Sequence, residues 1–348
     1  MTIVPAFLPL LAFALGVLVL ANLHLEWEWD RSVLRGAIAF AVFSVIGAEV
    51  LGLFHAITQT GLSLLWLLAI AGMAGWLVVR ARRAGLRRMR LPRMGPAEWV
   101  MAVILFLFLA TTAVTAWLAP PNTWDSLSYH MARVAHWAQT GSLAHFATGI
   151  ERQNLMPPGA EIGMLHAYVL GQGDRLTNFP QWLAMVGSVV AAAAVARLLG
   201  SKRAGQLVAA VFVATLPMGI AQASSTMTDY VEAFWAACVA YESVALLVER
   251  DRRRPDILAL AAAAGLAILA KPTSFAYLAP FGLLVAIVIG RRYGLGQLLV
   301  STGVVLLLVV ALNAGYLGRN VATYGNPLGS RGKLETHANE ILDARVVL

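Results

Sequence analysis

The sequence predicts an all-α membrane protein, a polytopic bundle of about ten transmembrane helices. Of its 348 residues, 59% are hydrophobic and only 13% are charged, whereas soluble domains carry about 25% charged residues. The charges separate long apolar runs and are not spread evenly along the chain. A single cysteine, Cys238, excludes a disulfide framework and a cysteine-rich metal site. Soluble, disordered and fibrous classes are therefore excluded.

Ten segments have the length and apolar character of a membrane span, which needs about 20 residues. The first lacks the basic start and the cleavage site of a signal peptide, so we expect a retained span. The eighth is short and runs into Lys271 and Pro272, so the eighth and ninth could form one broken hairpin. The ten segments are 3–22, 33–55, 60–79, 97–119, 178–199, 204–221, 229–248, 257–270, 274–290 and 295–317.

The basic residues predict the orientation of these spans. A net charge of +8 could suggest a nucleic-acid partner, but the basic residues lie in loops between apolar segments. Because cytoplasmic loops carry an excess of Lys and Arg, we expect the Arg-rich loop 80–93 in the cytoplasm, with most of the 26 Lys and Arg residues. Both termini then lie outside. We interpret the loop as a topology signal that contacts anionic headgroups, with no nucleic-acid partner.

This orientation divides the chain into four regions. Residues 1–119 form a four-span region that includes the basic loop, and residues 178–317 form a six-span core. The two long polar stretches, 120–177 and 318–348, are expected on the outer face.

The outer loop 120–177 contains the most informative residues. Two prolines end the fourth span, and Asp125 is placed to start a helix that runs to about Thr140 and Gly141. Such a helix should lie in the membrane interface and turn its polar side to a cavity. Asp125 could equally be only an N-cap that accepts backbone N–H bonds. At about 100° per residue, the predicted polar stripe comprises Asp125, Tyr129, Arg133 and His136, and the apolar face comprises Leu127, Met131, Val134, Trp137 and Ala138.

A second polar group follows in the same loop. Glu151 and Arg152 precede a pair of prolines and could together hold a cation or a phosphate, the phosphate through a bidentate Arg. The alternative is a solvated ion pair of little energetic value. Residues 159–170 predict a second interfacial helix, which ends at the glycines after it.

Three charged residues at the ends of later spans are expected to share one outer cavity. They are Asp229, Lys271 and Arg319, and charge at membrane depth is costly and usually functional. Asp229 could be a cap, and Arg319 could extend to the interface. Glu49 and Glu242 also lie within spans, but the sequence assigns them no role.

The chain contains no phosphate-binding loop, no nucleophile elbow and no dinucleotide fingerprint. Nucleotide chemistry in the cytoplasm is therefore not expected. A carboxylate beside cations suits a reaction in which a base activates a hydroxyl and the cations stabilise a departing phosphate.

These residues resemble the integral-membrane GT-C glycosyltransferases. The resemblance extends to the bacterial branch near the protein O-mannosyltransferases, the aminoarabinose transferase of lipid A and the lipopolysaccharide-core galacturonosyltransferases. It covers about 120–330. The ordered motifs that carry it are TWDSLSYHMARVAHWAQTGS, RQNLMPPGAEIGMLHAYVLG, STMTDYVEAFW, AILAKPTSFAYLAPFG and RNVATYGNP.

The resemblance implies a GT-C-like fold and a role for each matched residue. Asp125 would be the catalytic base, and Arg152, Lys271 and Arg319 would bind the donor phosphate. Glu151 and Asp229 would contact the acceptor or a divalent cation, whose requirement the sequence leaves open. Ser126 stands where the family often has a second acidic residue.

The implied function is transfer of a hexose or pentose from a polyprenyl-phosphate donor to a lipid, glycan or protein acceptor. The expected location is the outer, periplasmic face of a bacterial plasma (inner) membrane. One alternative is a transporter or flippase of lipid-linked sugars. A second is an inactive truncated homologue, since the chain stops soon after the tenth span, where family members usually continue.

Overall fold

A computed structural model describes residues 4–26, 28–87, 94–249 and 256–330 of the chain. These residues form helices and connecting loops, with no strand among them. The helices are α1 (Leu8–Leu23), α2 (Trp29–Leu53), α3 (Gln59–Ala84), α4 (Pro96–Leu118), α5 (Met131–Thr140), α6 (Arg152–Leu155), α7 (Gly159–Gly171), α8 (Phe179–Leu198), α9 (Arg203–Ala214), α10 (Pro217–Ala223), α11 (Asp229–Val248), α12 (Leu258–Ala270) and α13 (Ser274–Tyr324).

Within the described residues, seven helices are long and apolar enough to cross a membrane. An eighth span results if α9 and α10, which meet at 66°, count as one. The 51-residue α13 contains the non-helical Gly294 (φ 84°, ψ 170°). At about 1.5 Å per residue its length is more than twice the ~30 Å hydrocarbon core, so α13 accommodates two membrane passages. Each of the ten predicted segments overlaps a helix, a helix pair or one half of α13, but the predicted span 257–270 is the 13-residue α12, which is shorter than a membrane span. The chain is a multi-pass, all-α membrane protein.

The core of the bundle is built around α11, which packs against α8, α12 and α13. Small residues allow this close packing, as is usual between membrane helices. A side chain at Gly265 of α12 would collide with Leu312 and approach the backbone of Val309 on α13. In contrast, α4 and α13 expose many large apolar side chains, which suits contact with lipid.

The two ends of the bundle carry different groups. We call the end that bears residues 120–177 the outer end, and the opposite one the inner end. The start of α2, which contains Arg31 and Arg35, joins the inner ends of α8 and α11 through ion pairs. Residues 88–93 of the predicted basic loop and residues 331–348 of the predicted C-terminal segment lie outside the described residues. The inner-end ion pairs are Arg31–Glu249, Arg35–Glu242, Arg35–Asp256 and Arg197–Asp30.

Both helices predicted within the outer loop are present. The first ends with α5 at Thr140, and Gly141 then adopts the left-handed conformation (φ 68°) that favours glycine at a helix end. A Cβ at Gly141 would also collide with the backbone of His55. Ile57 donates its N–H to the Gly141 carbonyl at 3.1 Å, so the α2–α3 connection is fastened to the end of α5. The second helix is α7.

Candidate functional site

The alternative that Asp125 is only an N-cap is wrong. Its backbone is already helical (φ −67°, ψ −38°), and its side chain makes no capping hydrogen bond within the described chain. The cap is instead Thr123, whose Oγ1 accepts the backbone N–H of Ser126 at 3.2 Å. Threonine is a good cap residue, and Thr123 lies only two positions upstream. The Asp125 carboxylate is therefore available for another role.

Asp125 lies beside Arg152, a pairing that the sequence did not predict. Their closest atoms, Oδ1 of Asp125 and Nη1 of Arg152, are 3.9 Å apart. The side chains remain 34% and 53% exposed, respectively. Both groups therefore face solvent and are accessible to a ligand.

An open groove of about 360 Å³ lies against Asp125. One wall is the start of the helix that runs over residues 124–140, which we call the outer helix, and the other is α10 with the turn that precedes α11. Thr123 and Met227 are in contact across it, with 3.4 Å between Oγ1 and Sδ. The groove places Asp125 next to the segment that leads into Asp229. Its lining residues are Thr123, Trp124, Asp125, Ala221, Gln222, Ser225 and Met227.

Asp229 and Lys271 form an ion pair at the outer ends of α11 and α12. The Nζ of Lys271 donates to Oδ1 of Asp229 at 2.6 Å, and both side chains are about one-third exposed. Glu232 lies 4.0 Å from the same Nζ and is buried. It also accepts hydrogen bonds from Thr273 and Ser274, at 2.6 and 3.1 Å. The sequence predicted that Asp229 and Lys271 lie together but missed Glu232.

Arg319 pairs with a residue to which the sequence gave no role. Its two terminal nitrogens donate to both oxygens of Glu49, at 2.6 and 2.9 Å. The sequence did contain one relevant signal: an unpaired carboxylate such as Glu49 within an apolar helix is costly. That cost indicates a partner without naming it.

The predicted polar stripe is not continuous. Residues 126–130 form a π turn, with the N–H of Met131 bonded to the Ser126 carbonyl. A π turn inserts one extra residue and shifts every later side chain by about 100° relative to an ideal wheel. Leu127, predicted on the apolar face with Val134, is 60% exposed while Val134 is buried. Arg133 is likewise buried, so it does not line the predicted cavity.

Tyr129 and His136 are both partly buried. Burial and the carboxylates of Asp125 and Glu161 raise the pKa of Tyr129 to about 12, so its hydroxyl stays protonated. The ring of His136 stacks on Phe146, with centroids 3.7 Å apart. Tyr129 is thus near Asp125, whereas His136 takes part in packing.

Arg133 belongs to a buried charge cluster that the sequence did not reveal. Arg133 and His130 both bond Oε1 of Glu161 in α7, His130 at 2.6 Å. Burial disfavours the charged carboxylate, but Arg133 and His130 outweigh it and lower the pKa of Glu161 to about 2. Glu161 is therefore ionised at any physiological pH.

The structure thus brings the predicted residues together in pairs. Asp125 meets Arg152 and Asp229 meets Lys271, while Arg319 is bound to Glu49. Glu151 directly precedes Arg152 in a helical conformation. Among the described residues, no group of three or more His, Cys, Asp or Glu side chains is arranged to hold a metal ion.

The fold and these charges define a multi-pass membrane protein with partly exposed acidic and basic pairs at the outer end of its bundle. The sequence profile of the dolichyl-phosphate-mannose-protein mannosyltransferase family matches residues 157–316. This match includes Asp229 and Lys271, and it makes that part of the chain similar to a family of membrane glycosyltransferases. No curated protein and no solved structure matches the chain.

Proposed function

We propose that the protein transfers a sugar from a polyprenyl-phosphate carrier to a hydroxyl acceptor at the outer face of a bacterial plasma membrane. One observation carries the proposal: Asp125 makes no capping bond, lines an open groove and lies 3.9 Å from the exposed cation Arg152. The profile match supports it, since the family is described by a lipid-linked donor, dolichyl-phosphate mannose.

In the proposed reaction, Asp125 accepts the proton of the acceptor hydroxyl while the hydroxyl oxygen attacks the anomeric carbon of the donor sugar. The bond between that carbon and the phosphate oxygen breaks, and polyprenyl phosphate leaves with the bonding electrons. A carboxylate within hydrogen-bond reach of the acceptor is suited to this base role. The groove beside Asp125 would hold the acceptor, with Gln222 and Ser225 as hydrogen-bonding groups on its wall.

Cations near the departing phosphate stabilise the negative charge that develops on it. Arg152 is the most accessible candidate, because its side chain is 53% exposed. Lys271 lies between two carboxylates, Asp229 and Glu232, so a phosphate at Lys271 would have to replace Asp229 as its partner. Arg319, bound by both oxygens of Glu49, would contribute mainly as a fixed positive charge.

The test is an assay with purified protein in lipid vesicles. Radiolabelled polyprenyl-phosphate mannose is supplied with a panel of acceptors: a Ser/Thr peptide, lipid A and an oligosaccharide. We expect acceptor-dependent release of polyprenyl phosphate by the native chain and none by Asp125→Asn. Movement of intact labelled lipid across the vesicle membrane without release would instead identify a flippase. Absence of both activities would contradict the proposal.

A further inference from the structure

The spacing between Asp125 and Arg152 cannot be set by their own attraction. At 3.9 Å their closest atoms are too far apart for a hydrogen bond. Both side chains are at least one-third exposed, and exposed ion pairs of this kind contribute little to stability. The two groups must therefore be held by the elements that carry them.

A buried cluster of ion pairs connects those elements. Glu161 at the start of α7 binds His130 and Arg133, which lie three residues apart in the helix that carries Asp125. Arg133 also donates to the carbonyls of Met156 and Pro157, at 2.6 and 3.2 Å. These carbonyls directly follow α6, the short helix that begins at Arg152. Arg133 thus fastens the Asp125 helix to the Arg152 helix.

A second bond acts closer to the pair. Gln153, the neighbour of Arg152, donates its amide to the carbonyl of Ser128 at 2.8 Å. Ser128 lies inside the π turn of the helix that carries Asp125, so this bond joins the two elements close to the pair. Charge-assisted bonds between buried groups are roughly twice as strong as neutral ones. The buried cluster, which is shielded from solvent, therefore fixes the two elements more firmly than the exposed pair could.

We propose that Glu161 is a positioning residue that acts through Arg133 and His130 to hold the Asp125 carboxylate and the Arg152 guanidinium at their working separation. For its catalytic consequence this inference rests on the proposed function. Its structural consequence does not, because the separation of the two residues can be measured without any transfer reaction.

The structural test uses Asp125→Cys and Arg152→Cys in a Cys238→Ser background, with a short bismaleimide cross-linker in vesicles. Glu161→Gln keeps the shape of the side chain and removes its charge, so we expect the cross-linking yield to fall at least about two-fold as α6 loosens from the outer helix. The matched control is Glu242→Gln, because Glu242 is an equally buried carboxylate bound by Arg35 at the inner end.

The kinetic test uses Glu161→Gln in the native chain. A misplacement of about 1 Å costs up to about 100-fold in rate, so we expect kcat to fall about 10- to 100-fold with the donor KM within about two-fold. Gln153→Ala removes one neutral bond, and we expect a smaller fall in the same direction. Both effects should be absent in Glu242→Gln.

Thermal unfolding separates positioning from global damage. We expect Glu161→Gln and Glu242→Gln to unfold at similarly lowered temperatures, with only Glu161→Gln changing cross-linking and kcat. Unchanged cross-linking in Glu161→Gln, or an equal loss of kcat in Glu242→Gln, would overturn the inference. If Glu161→Gln does not fold, the inference is judged by the same two readouts on His130→Gln, which removes one of the two side chains that bind Glu161. If no transfer is found in any variant, the proposed function fails while the cross-linking result still decides the inference.

Discussion

Arg319 donates to both carboxylate oxygens of Glu49, at 2.6 and 2.9 Å, and thereby joins the outer ends of α2 and α13. The two side chains are 17% and 24% exposed, so the pair is shielded from bulk solvent. Gly315 lies one turn before Arg319, and a side chain there would collide with the Glu49 carboxylate. The pair is therefore built into the packing of the two helices.

We expect Glu49→Gln to destabilise the fold by about 1–3 kcal/mol, because it leaves the Arg319 guanidinium with a weaker partner in a poorly solvated place. Thermal unfolding in detergent measures the effect. The double variant Glu49→Gln/Arg319→Gln should lose less than the sum of the two single variants, since both remove the same interaction. Strict additivity would show that the pair contributes nothing.

The sequence predicted the depth of Arg319 but not its partner, because 270 residues separate it from Glu49. Helix positions were predictable since apolar runs of about 20 residues have few alternatives in a membrane. The phase of the outer helix was not predictable, because an ideal 100° wheel has no means to anticipate the π turn at 126–130. Asp125 precedes that turn and is partly exposed, as the wheel predicts; Arg133 follows it and is buried, which the wheel does not predict.

The candidate site was predictable to a similar extent. Charge at membrane depth is costly, which drew attention to Asp229 and Lys271, and the structure shows that these two side chains pair. Glu232 was missed because a carboxylate one turn into a helix resembles ordinary first-turn charge until Thr273 and Ser274 are seen to bind it. Contacts of this kind depend on how α11 and α12 pack, and the sequence does not encode that packing locally.

Two neighbouring substitutions separate chemistry from capping in the outer helix. Asp125→Asn should abolish turnover without lowering thermal stability, since Asp125 makes no capping bond. Thr123→Ala should lower stability by about 1 kcal/mol, because Thr123 holds the Ser126 N–H. The readouts are polyprenyl-phosphate release and the unfolding temperature. Near-native turnover in Asp125→Asn would remove it from the mechanism.

Substitution of Lys271 tests the donor phosphate. Lys271→Met removes the cation and leaves Asp229 and Glu232 to repel the phosphate. We expect the donor KM to rise about 10-fold or more, with a smaller change in kcat. Lys202→Met, at an exposed lysine of the inner end, is the matched control and should leave donor kinetics unchanged. Unchanged donor kinetics in Lys271→Met would exclude Lys271 from phosphate binding.

His145 provides a pH test. Burial, followed by the positive charges of Arg319 and Arg133, lowers the pKa of His145 from 6.5 to about 4. Between these values the unfolded chain binds a proton that the folded chain does not, so stability rises with pH across this window. We expect His145→Gln to show a smaller difference in unfolding temperature between pH 5 and pH 7 than the native chain. His55→Gln, at an exposed loop histidine, is the control, and a native-like difference in His145→Gln would contradict the prediction.

Cysteine labelling tests the orientation on which the outer-face reaction depends. In a Cys238→Ser background, Gly149→Cys places a thiol where a Cβ meets no neighbouring atom, and Ala84→Cys places one at the exposed end of α3. Because the Arg-rich loop after α3 is expected in the cytoplasm, an impermeant maleimide added to intact cells should label position 149 and not position 84. Permeabilised cells should label both, which controls for the reactivity of each thiol. Labelling of position 84 alone in intact cells would place Asp125 in the cytoplasm and rule out a donor presented at the outer face.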